Sequence, residues 1–223
     1  MKTGIFVSGT DTGVGKTVVS SLVVASLYSQ SSWEGGYFKP VQTGLDSDRN
    51  TVAQLMGMSA PSWPEPVYSF PEPIAPHRAA ALHRTEIQID QILVKRDSLG
   101  PGPWVVEGAG GLLVPLNQRQ TMRDLACALE YPLIIVASTR LGTINHCLLT
   151  LEASKRASLP VLALVLTGDE DPGLEDALRE VLPEFGFSTL PLIRVPRFET
   201  LSSQAIREAG PRYFPYSLFK KFL

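Results

Sequence analysis

The sequence predicts an α/β protein, built as one domain on a mostly parallel sheet with helices on both faces. Short apolar runs alternate along the chain with longer segments of helical periodicity, which is the pattern of βαβ units. Runs such as Leu133–Ala137 and Val161–Leu166 are apolar throughout, as expected for strands that helices cover on both sides. At 223 residues the chain has the length of one large domain, and we expect residues 1–223 to form it.

The predicted strands are short apolar runs that stop at turn-forming or polar residues. The first run, Ile5–Val7, leads into a glycine-rich turn, and the second, Gly36–Lys39, ends at Pro40. A further glycine-rich turn follows the third run, Trp104–Val106. The remaining strands are predicted at Leu133–Ala137, Val161–Leu166 and Thr189–Ile193.

Helices are predicted between these strands, where apolar residues recur at helical spacing. In contrast, Met58–Arg84 contains six prolines, Pro61 among them, and we expect it to be mostly irregular because proline interrupts regular hydrogen bonding. The predicted helices are Lys16–Gln30, Asp48–Met56, Glu86–Asp97, Thr121–Glu130, Ile144–Ala157 and Gly173–Leu182.

Charge and composition exclude several classes of protein. The formal charge is −2, from 20 Lys and Arg against 22 Asp and Glu, which predicts neither a nucleic-acid nor an anionic-membrane partner. No apolar run is long enough for a transmembrane helix, and Ile5–Val7 is too short for the core of a signal peptide. Cys127 and Cys147 lie in apolar stretches and read as structural thiols, so a cytoplasmic location is expected.

A glycine-rich segment, Gly9–Thr17, follows the first strand and opens the first helix. This context suits a phosphate-binding loop, in which backbone N–H groups and the helix N-terminus surround an anion. Lys16 would reach the β- and γ-phosphates, and the Thr17 hydroxyl would bind Mg²⁺. Thr10 stands where the common pattern has its first glycine. The alternative is a glycine-rich turn that only caps a helix.

Charged residues also follow the second and third strands. Glu107 comes directly after Trp104–Val106 and before four small residues, where a carboxylate would approach a metal and phosphates. Lys39 ends the second strand, and Asp48 opens a helix. The alternatives are a solvated lysine at a strand end and an ordinary helix N-cap.

The strand at Leu133–Ala137 leads into Arg140 and then Gly142–His146 at the start of a helix. A helix N-terminus with a glycine can bind a carboxylate or a phosphate, although simple capping explains the same residues. The three histidines, His77, His83 and His146, are not spaced as metal ligands.

Together these segments resemble the dethiobiotin synthetase family, from the first strand to about Pro196. Five motifs occur in the family's order, and the Thr10 irregularity belongs to the family's own loop pattern. The motifs are Gly9–Thr17, Lys39–Val41, Pro73–His77, Val106–Gly111 and Leu141–His146.

The resemblance implies a homodimeric P-loop enzyme of biotin synthesis. Such an enzyme converts 7,8-diaminononanoate, CO₂ (or bicarbonate) and Mg-ATP into dethiobiotin, ADP and phosphate. Its P-loop NTPase-like fold is a mostly parallel sheet with helices on both faces. The expected cofactor is therefore Mg²⁺, with ATP as co-substrate.

The resemblance also implies a role for individual residues. The catalytic lysines would be Lys16 and Lys39. The Mg²⁺ ligands would be Thr17, Asp48 and Glu107. The diamine would lie near Thr43, and its carboxylate would bind Gly142, Thr143, Ile144 and Asn145. The nucleotide-binding residues would be Gly13, Val14, Gly15, Lys16, Thr17, Val18, Asp48, Glu107, Gly108, Ala109, Gly110, Gly168, Asp169 and Pro196.

One departure from the family concerns the nucleotide base. Family members often carry an asparagine that reads adenine where this chain has Gly168, so we expect weak base selectivity. Two rival classes share the loop. Partitioning-type ATPases carry an extra lysine where this chain has Asp11, and larger amide-forming ligases carry a glutaminase domain for which this chain has no room.

Overall fold

The computed structural model describes residues 3–30, 33–59, 63–100 and 102–222. Their strands are β1 (Gly4–Gly9), β2 (Gly36–Phe38), β3 (Val41–Thr43), β4 (Tyr68–Phe70), β5 (Trp104–Gly111), β6 (Leu133–Ser138), β7 (Val161–Gly168) and β8 (Leu192–Pro196). The largest sheet has six strands in the order β2-β5-β1-β6-β7-β8, and every neighbouring pair is parallel. The other two strands, β3 and β4, form a small parallel ribbon.

Helices cover both faces of this sheet, which confirms the predicted α/β architecture. They are α1 (Lys16–Tyr28), α2 (Asp48–Leu55), α3 (Pro76–Leu82), α4 (Ile89–Ser98), α5 (Met122–Leu129), α6 (Thr143–Arg156), α7 (Pro172–Val181) and α8 (Ser203–Tyr213). The apolar residues of the strands alternate between two core layers. In β6, Ile134 and Val136 pack in the layer of α1 and α8, whereas Leu133 and Ile135 pack with α5 and α6.

The proline-rich segment is more regular than its composition suggests. Strand β4 pairs with β3, and α3 begins at Pro76, a position where the missing N–H and the fixed φ of proline do no harm. Outside these two elements the described residues of Met58–Arg84 are irregular, so the prediction of a mostly irregular segment is confirmed. Pro61 lies outside the described residues.

Two strand predictions also need correction. The glycine-rich stretch after Val106 is not a turn, because β5 continues through it to Gly111. The last strand runs from Leu192 to Pro196 rather than over Thr189–Ile193. Both strands thus reach further toward the carboxyl edge of the sheet, where ligands bind in folds of this kind.

Helix α8 has no counterpart among the predicted elements. It packs against α1 at Gly210, where an added Cβ would lie 2.6 Å from the Leu22 carbonyl oxygen and 2.7 Å from the Ala25 Cβ. Only glycine allows so close an approach. Helix α1, which begins at Lys16, is therefore supported by α8.

None of the helices in the described ranges is both long and apolar enough to span a lipid bilayer.

Candidate active site

The glycine-rich loop links β1 to α1 at the carboxyl edge of the sheet. Gly13 and Gly15 adopt φ values of +73° and +87°, which side chains rarely allow. The Thr167 hydroxyl at the end of β7 donates to the Val14 carbonyl at 2.7 Å. The loop is thus fixed to a strand on the other side of the sheet's centre, and its shape agrees with a phosphate-binding loop.

The Lys16 side chain folds back over this loop. Its Nζ donates to the Asp11 carbonyl at 2.9 Å, and an added Cβ at Gly9 would lie 3.0 Å from the same nitrogen. Burial and the nearby Lys39 charge lower the Lys16 pKa to about 8. An ammonium held under these conditions favours the approach of an anion.

Lys39 lies between two carboxylates just beyond β2. Its Nζ is 2.7 Å from Asp48 Oδ2 and 3.0 Å from Glu107 Oε1, and it also donates to the Gly108 carbonyl at 3.2 Å. Burial alone would lower the Lys39 pKa, but the Glu107 and Asp48 charges outweigh it and raise that pKa. Lys39 is therefore a buried cation and not a solvated lysine at a strand end.

The Thr17 hydroxyl completes this cluster from α1. Its Oγ1 is 3.1 Å from Asp48 Oδ1 and 3.2 Å from Glu107 Oε1, so it donates to either carboxylate. Asp48 is held by its backbone N–H, which donates to Gln42 Oε1 at 3.4 Å. The N-cap of α2 is Ser47, so the Asp48 carboxylate is free for the cluster.

These oxygen atoms fit a magnesium ion. Two carboxylates and a hydroxyl are hard ligands, and Mg²⁺ usually takes one or two carboxylates together with phosphate oxygens and water. The Lys39 ammonium already lies between both carboxylates, which shows that this position favours positive charge. Thr17, Asp48 and Glu107 could therefore hold Mg²⁺ beside bound phosphates.

Two hydroxyls that the sequence did not single out also reach Glu107. Ser20 Oγ and Tyr37 Oη donate to Glu107 Oε2 at 2.8 and 2.9 Å. Burial and the Glu107 charge raise the Tyr37 pKa well above its ordinary value, so the phenol remains a donor. The available signal was spacing, since Ser20 follows Thr17 by one helical turn and Tyr37 lies two residues before Lys39 on its strand.

A cavity of about 530 Å³ lies beside the loop, at the ends of β6, β7 and β8. Seven residues assigned to the nucleotide from the sequence line it: Gly13, Val14, Gly15, Val18, Gly168, Asp169 and Pro196. Lining residues that sequence reasoning missed include Thr139, Arg140, Arg197, Phe198 and Leu201. The cavity has the position and size for a nucleoside.

The end of β5 approaches the loop from its other side. Gly110 has φ +67°, and an added Cβ there would lie 2.8 Å from the Val114 side chain and 3.7 Å from Thr12 Oγ1. Gly108 contacts the Lys39 ammonium through its carbonyl, and Ala109 is buried. The residue closest to the loop is Gly111, where an added Cβ would lie 3.3 Å from the Gly9 carbonyl oxygen and 3.4 Å from that of Thr10.

Gly168 occupies a strained position at the cavity wall. Its φ is +117°, and an added Cβ would lie 2.8 Å from Thr139 Oγ1. Arg194 donates to the Gly168 carbonyl at 3.3 Å and pairs with Glu175 at 3.2 Å. A side chain at residue 168 that could read a base would therefore require this loop to move.

The residues assigned to the diamine lie in two places. Thr43 is half-buried at the end of β3, next to Gln42, which contacts Asp48. In contrast, the hydrogen bonds described for the Gly142–Asn145 segment are local. The Thr143 hydroxyl donates to the Ser138 carbonyl at the end of β6, and the Thr143 N–H donates to the Arg140 carbonyl at 3.1 Å. Within a single copy of the protein, the hydrogen bonds and ion pairs of the described residues do not link this helix start to Lys39, Asp48 or Glu107.

The comparisons with solved structures show the fold. A ParA family ATPase from Chlorobium tepidum has a TM-score of 0.54 at 14% identity, covering 99% of this chain and 96% of its own. The MinC:MinD cell division complex from Aquifex aeolicus gives 0.53 at 9% identity, with 94% and 95% covered. At such identities these similarities carry no functional conclusion.

Sequence relatives identify the family. The AAA domain family matches residues 3–205. An ATP-dependent dethiobiotin synthetase BioD from Brucella anthropi is 38% identical over 221 residues, 98% of each chain, and one from Rhodopseudomonas palustris is 40% identical over 223 residues, 99% of each. Because this identity extends over nearly the whole of both chains, the protein belongs to the family of ATP-dependent dethiobiotin synthetases.

Proposed function

We propose that this protein joins 7,8-diaminononanoate and CO₂ into dethiobiotin at the expense of ATP. The single observation that carries the proposal is the convergence of Lys16, Lys39, Asp48 and Glu107 beside a phosphate-binding loop. Two cations and two carboxylates suit a reaction in which a phosphoryl group moves between oxygens.

The proposed chemistry has three steps. An amine nitrogen of the diamine attacks the CO₂ carbon and loses a proton, which gives a carbamate. A carbamate oxygen then attacks the γ-phosphorus of ATP, and ADP leaves. Finally the second amine attacks the activated carbonyl carbon, the C–O bond to phosphate breaks, and the ring closes with loss of a proton.

In this scheme the protein positions groups and stabilises charge. Lys16 binds the β- and γ-phosphates, and Lys39 stabilises the charge on the transferring group and on the carbamate oxygen. Thr43 orients the diamine, while Thr17, Asp48 and Glu107 would hold Mg²⁺, which would neutralise phosphate charge. Preorganised charges such as those of the two lysines act most strongly where water is excluded.

The test of the proposal is phosphate release from ATP with Mg²⁺, measured with and without diaminononanoate and bicarbonate. We expect release only when both are present, with dethiobiotin detected by mass spectrometry in equal amount. Release that does not depend on the diamine would contradict the proposal and indicate a simple nucleotide hydrolase.

We further propose that Gly142–Asn145 binds the substrate carboxylate and that a second copy of the chain brings this segment to the site. Gly142 has φ +93° and begins α6 without a side-chain cap. The Thr143 N–H donates to the Arg140 carbonyl at 3.1 Å, so we propose that the anion binds the other N–H groups of this segment. Leu141 and Leu149 are exposed beside it, as expected for an interface in a homodimer.

A diamine that lacks the carboxylate is expected to bind at least about tenfold more weakly. Hydrogen bonds to a charged group contribute about 1.5–3 kcal/mol each, and the decarboxylated analogue cannot accept them. Calorimetric titration of both compounds in the presence of ADP and Mg²⁺ measures the difference. Equal affinity would mean that Gly142–Asn145 only caps a helix.

Base selectivity is expected to be weak because Gly168 offers no side chain to adenine. We expect kcat/KM for ATP to exceed that for CTP or GTP by no more than about tenfold, near 1.4 kcal/mol. Initial rates with each nucleotide decide this. A preference of about a thousandfold would show that another cavity residue reads the base.

The reducing cytoplasm is the compartment that we propose for this reaction. Cys127 and Cys147 are both free, and burial raises the Cys147 pKa to about 12. A thiol of that kind is unreactive and acts as a small apolar side chain, which supports a structural role.

A further inference from the structure

The Glu107 carboxylate is surrounded on both oxygens. Its side chain is 1% exposed and lies within hydrogen-bond distance of four donors. Lys39 Nζ and Thr17 Oγ1 approach Oε1 at 3.0 and 3.2 Å, whereas Ser20 Oγ and Tyr37 Oη approach Oε2 at 2.8 and 2.9 Å. The two oxygens therefore have different partners.

The partners of Oε2 are both fully buried and belong to different elements. Ser20 lies on α1, one turn after Thr17, and Tyr37 lies in the middle of β2. A buried hydroxyl without a hydrogen bond is costly, so each of these groups needs an acceptor. Both donate to the same carboxylate oxygen.

This arrangement restricts the one free rotation that Glu107 has. The terminal torsion of a glutamate is broad and roughly two-fold. A carboxylate without fixed partners would therefore rotate about this bond, and its two oxygens would change places. Two hydroxyls on Oε2 oppose that rotation from two directions. They leave Oε1 aimed at Thr17 and Lys39, where phosphates and Mg²⁺ would lie.

We propose that Ser20 and Tyr37 are positioning residues of this enzyme, which fix the Glu107 carboxylate so that Oε1 alone is presented to the metal. The proposal rests on the proposed function, because it gives Glu107 the role of a Mg²⁺ ligand. Groups that orient a metal ligand typically change metal affinity or activity by about 10–100-fold when they are removed.

The test uses Tyr37→Phe, Ser20→Ala and the double variant, each of which removes a hydroxyl and leaves the neighbouring side chains in place. The readout is the affinity for Mn²⁺ in the presence of saturating ADP, followed by electron paramagnetic resonance of the free ion. We expect each single variant to bind Mn²⁺ about tenfold more weakly and the double variant to bind it more weakly still.

The chain offers matched controls on the other side of the molecule. Tyr131 is 2% exposed and pairs through its hydroxyl with Arg96, and Ser154 is fully buried and donates to the Leu151 carbonyl at 2.7 Å. Tyr131→Phe and Ser154→Ala therefore also remove buried hydroxyls. We expect both controls to lose some thermal stability and to bind Mn²⁺ like the unmodified protein.

Native Mn²⁺ affinity in the double variant would overturn the proposal and reduce the two hydroxyls to satisfied core groups. A loss of affinity that the controls share would overturn it as well, because the cause would then be general destabilisation. Binding of Mn²⁺ with ADP does not require the diamine, so this result is independent of the phosphate-release test of the proposed function.

Discussion

Lys39→Ala is expected to reduce turnover at least about a hundredfold, because removal of one preorganised charge costs about 2.7–4 kcal/mol of transition-state stabilisation. The same change should also destabilise the free protein. Glu107 and Asp48 would lose the cation between them, and breaking a buried ion pair costs on the order of 3–5 kcal/mol. Addition of Mg²⁺ and ADP should restore much of the stability without restoring turnover.

Steady-state rates and thermal unfolding, each with and without Mg²⁺ and ADP, measure these two effects separately. Lys220→Ala is the control, since Lys220 is exposed and far along the chain from the cluster. A Lys39→Ala protein that turns over at a near-native rate would show that Lys39 is only a counter-ion for the two carboxylates.

Glu107→Gln is expected to raise the Mg²⁺ concentration for half-maximal activity at least about tenfold, which corresponds to about 1.4 kcal/mol. The amide keeps the shape of the side chain and removes its charge. Lys39 can only donate, so the amide oxygen must stay on its side while the amide nitrogen turns toward the hydroxyls, which can also accept. We therefore expect Mg²⁺ to bind more weakly because the negative charge is gone, and not because the side chain has moved.

Titration of activity against Mg²⁺ tests this, with Asp48→Asn for comparison. Asp48 is 26% exposed and solvent screens its charge, so we expect a smaller shift there. Asp46→Asn removes a nearby exposed carboxylate and should have no effect. Unchanged half-saturation in both Glu107→Gln and Asp48→Asn would mean that neither carboxylate serves the ion.

Much of the site could be predicted because a parallel sheet brings the ends of its strands together. The register shows how: Phe38 pairs with Val106, so the residues that follow them, Lys39 and Glu107, lie side by side at the edge of the sheet. A sequence gives no register between strands that lie some 70 residues apart. For that reason the sequence analysis did not single out Tyr37, although its hydroxyl donates to Glu107.

The C-terminal part of the chain was harder to predict for a different reason. Helix α8 contains Gly210 and Pro211, both of which disfavour a helix when they are judged locally. The glycine is required by contact with α1, which no local pattern reveals. Since Arg197, Phe198 and Leu201 line the cavity, one wall of the site that we propose for the nucleotide was missed together with this helix.

The strand order has a consequence for how the protein is made. Strand β1 lies between β5 and β6, whose pairing residues begin at Trp104 and Leu133, so it has no partner in the sheet until about 100 further residues have been synthesised, since Gly4 pairs with Trp104. At about 5–20 residues per second, an apolar strand and the loop behind it wait for seconds to tens of seconds without their neighbours. Pairings of such long range also slow folding. The loop that we propose to bind ATP is thus synthesised well before the two strands that hold it in the sheet.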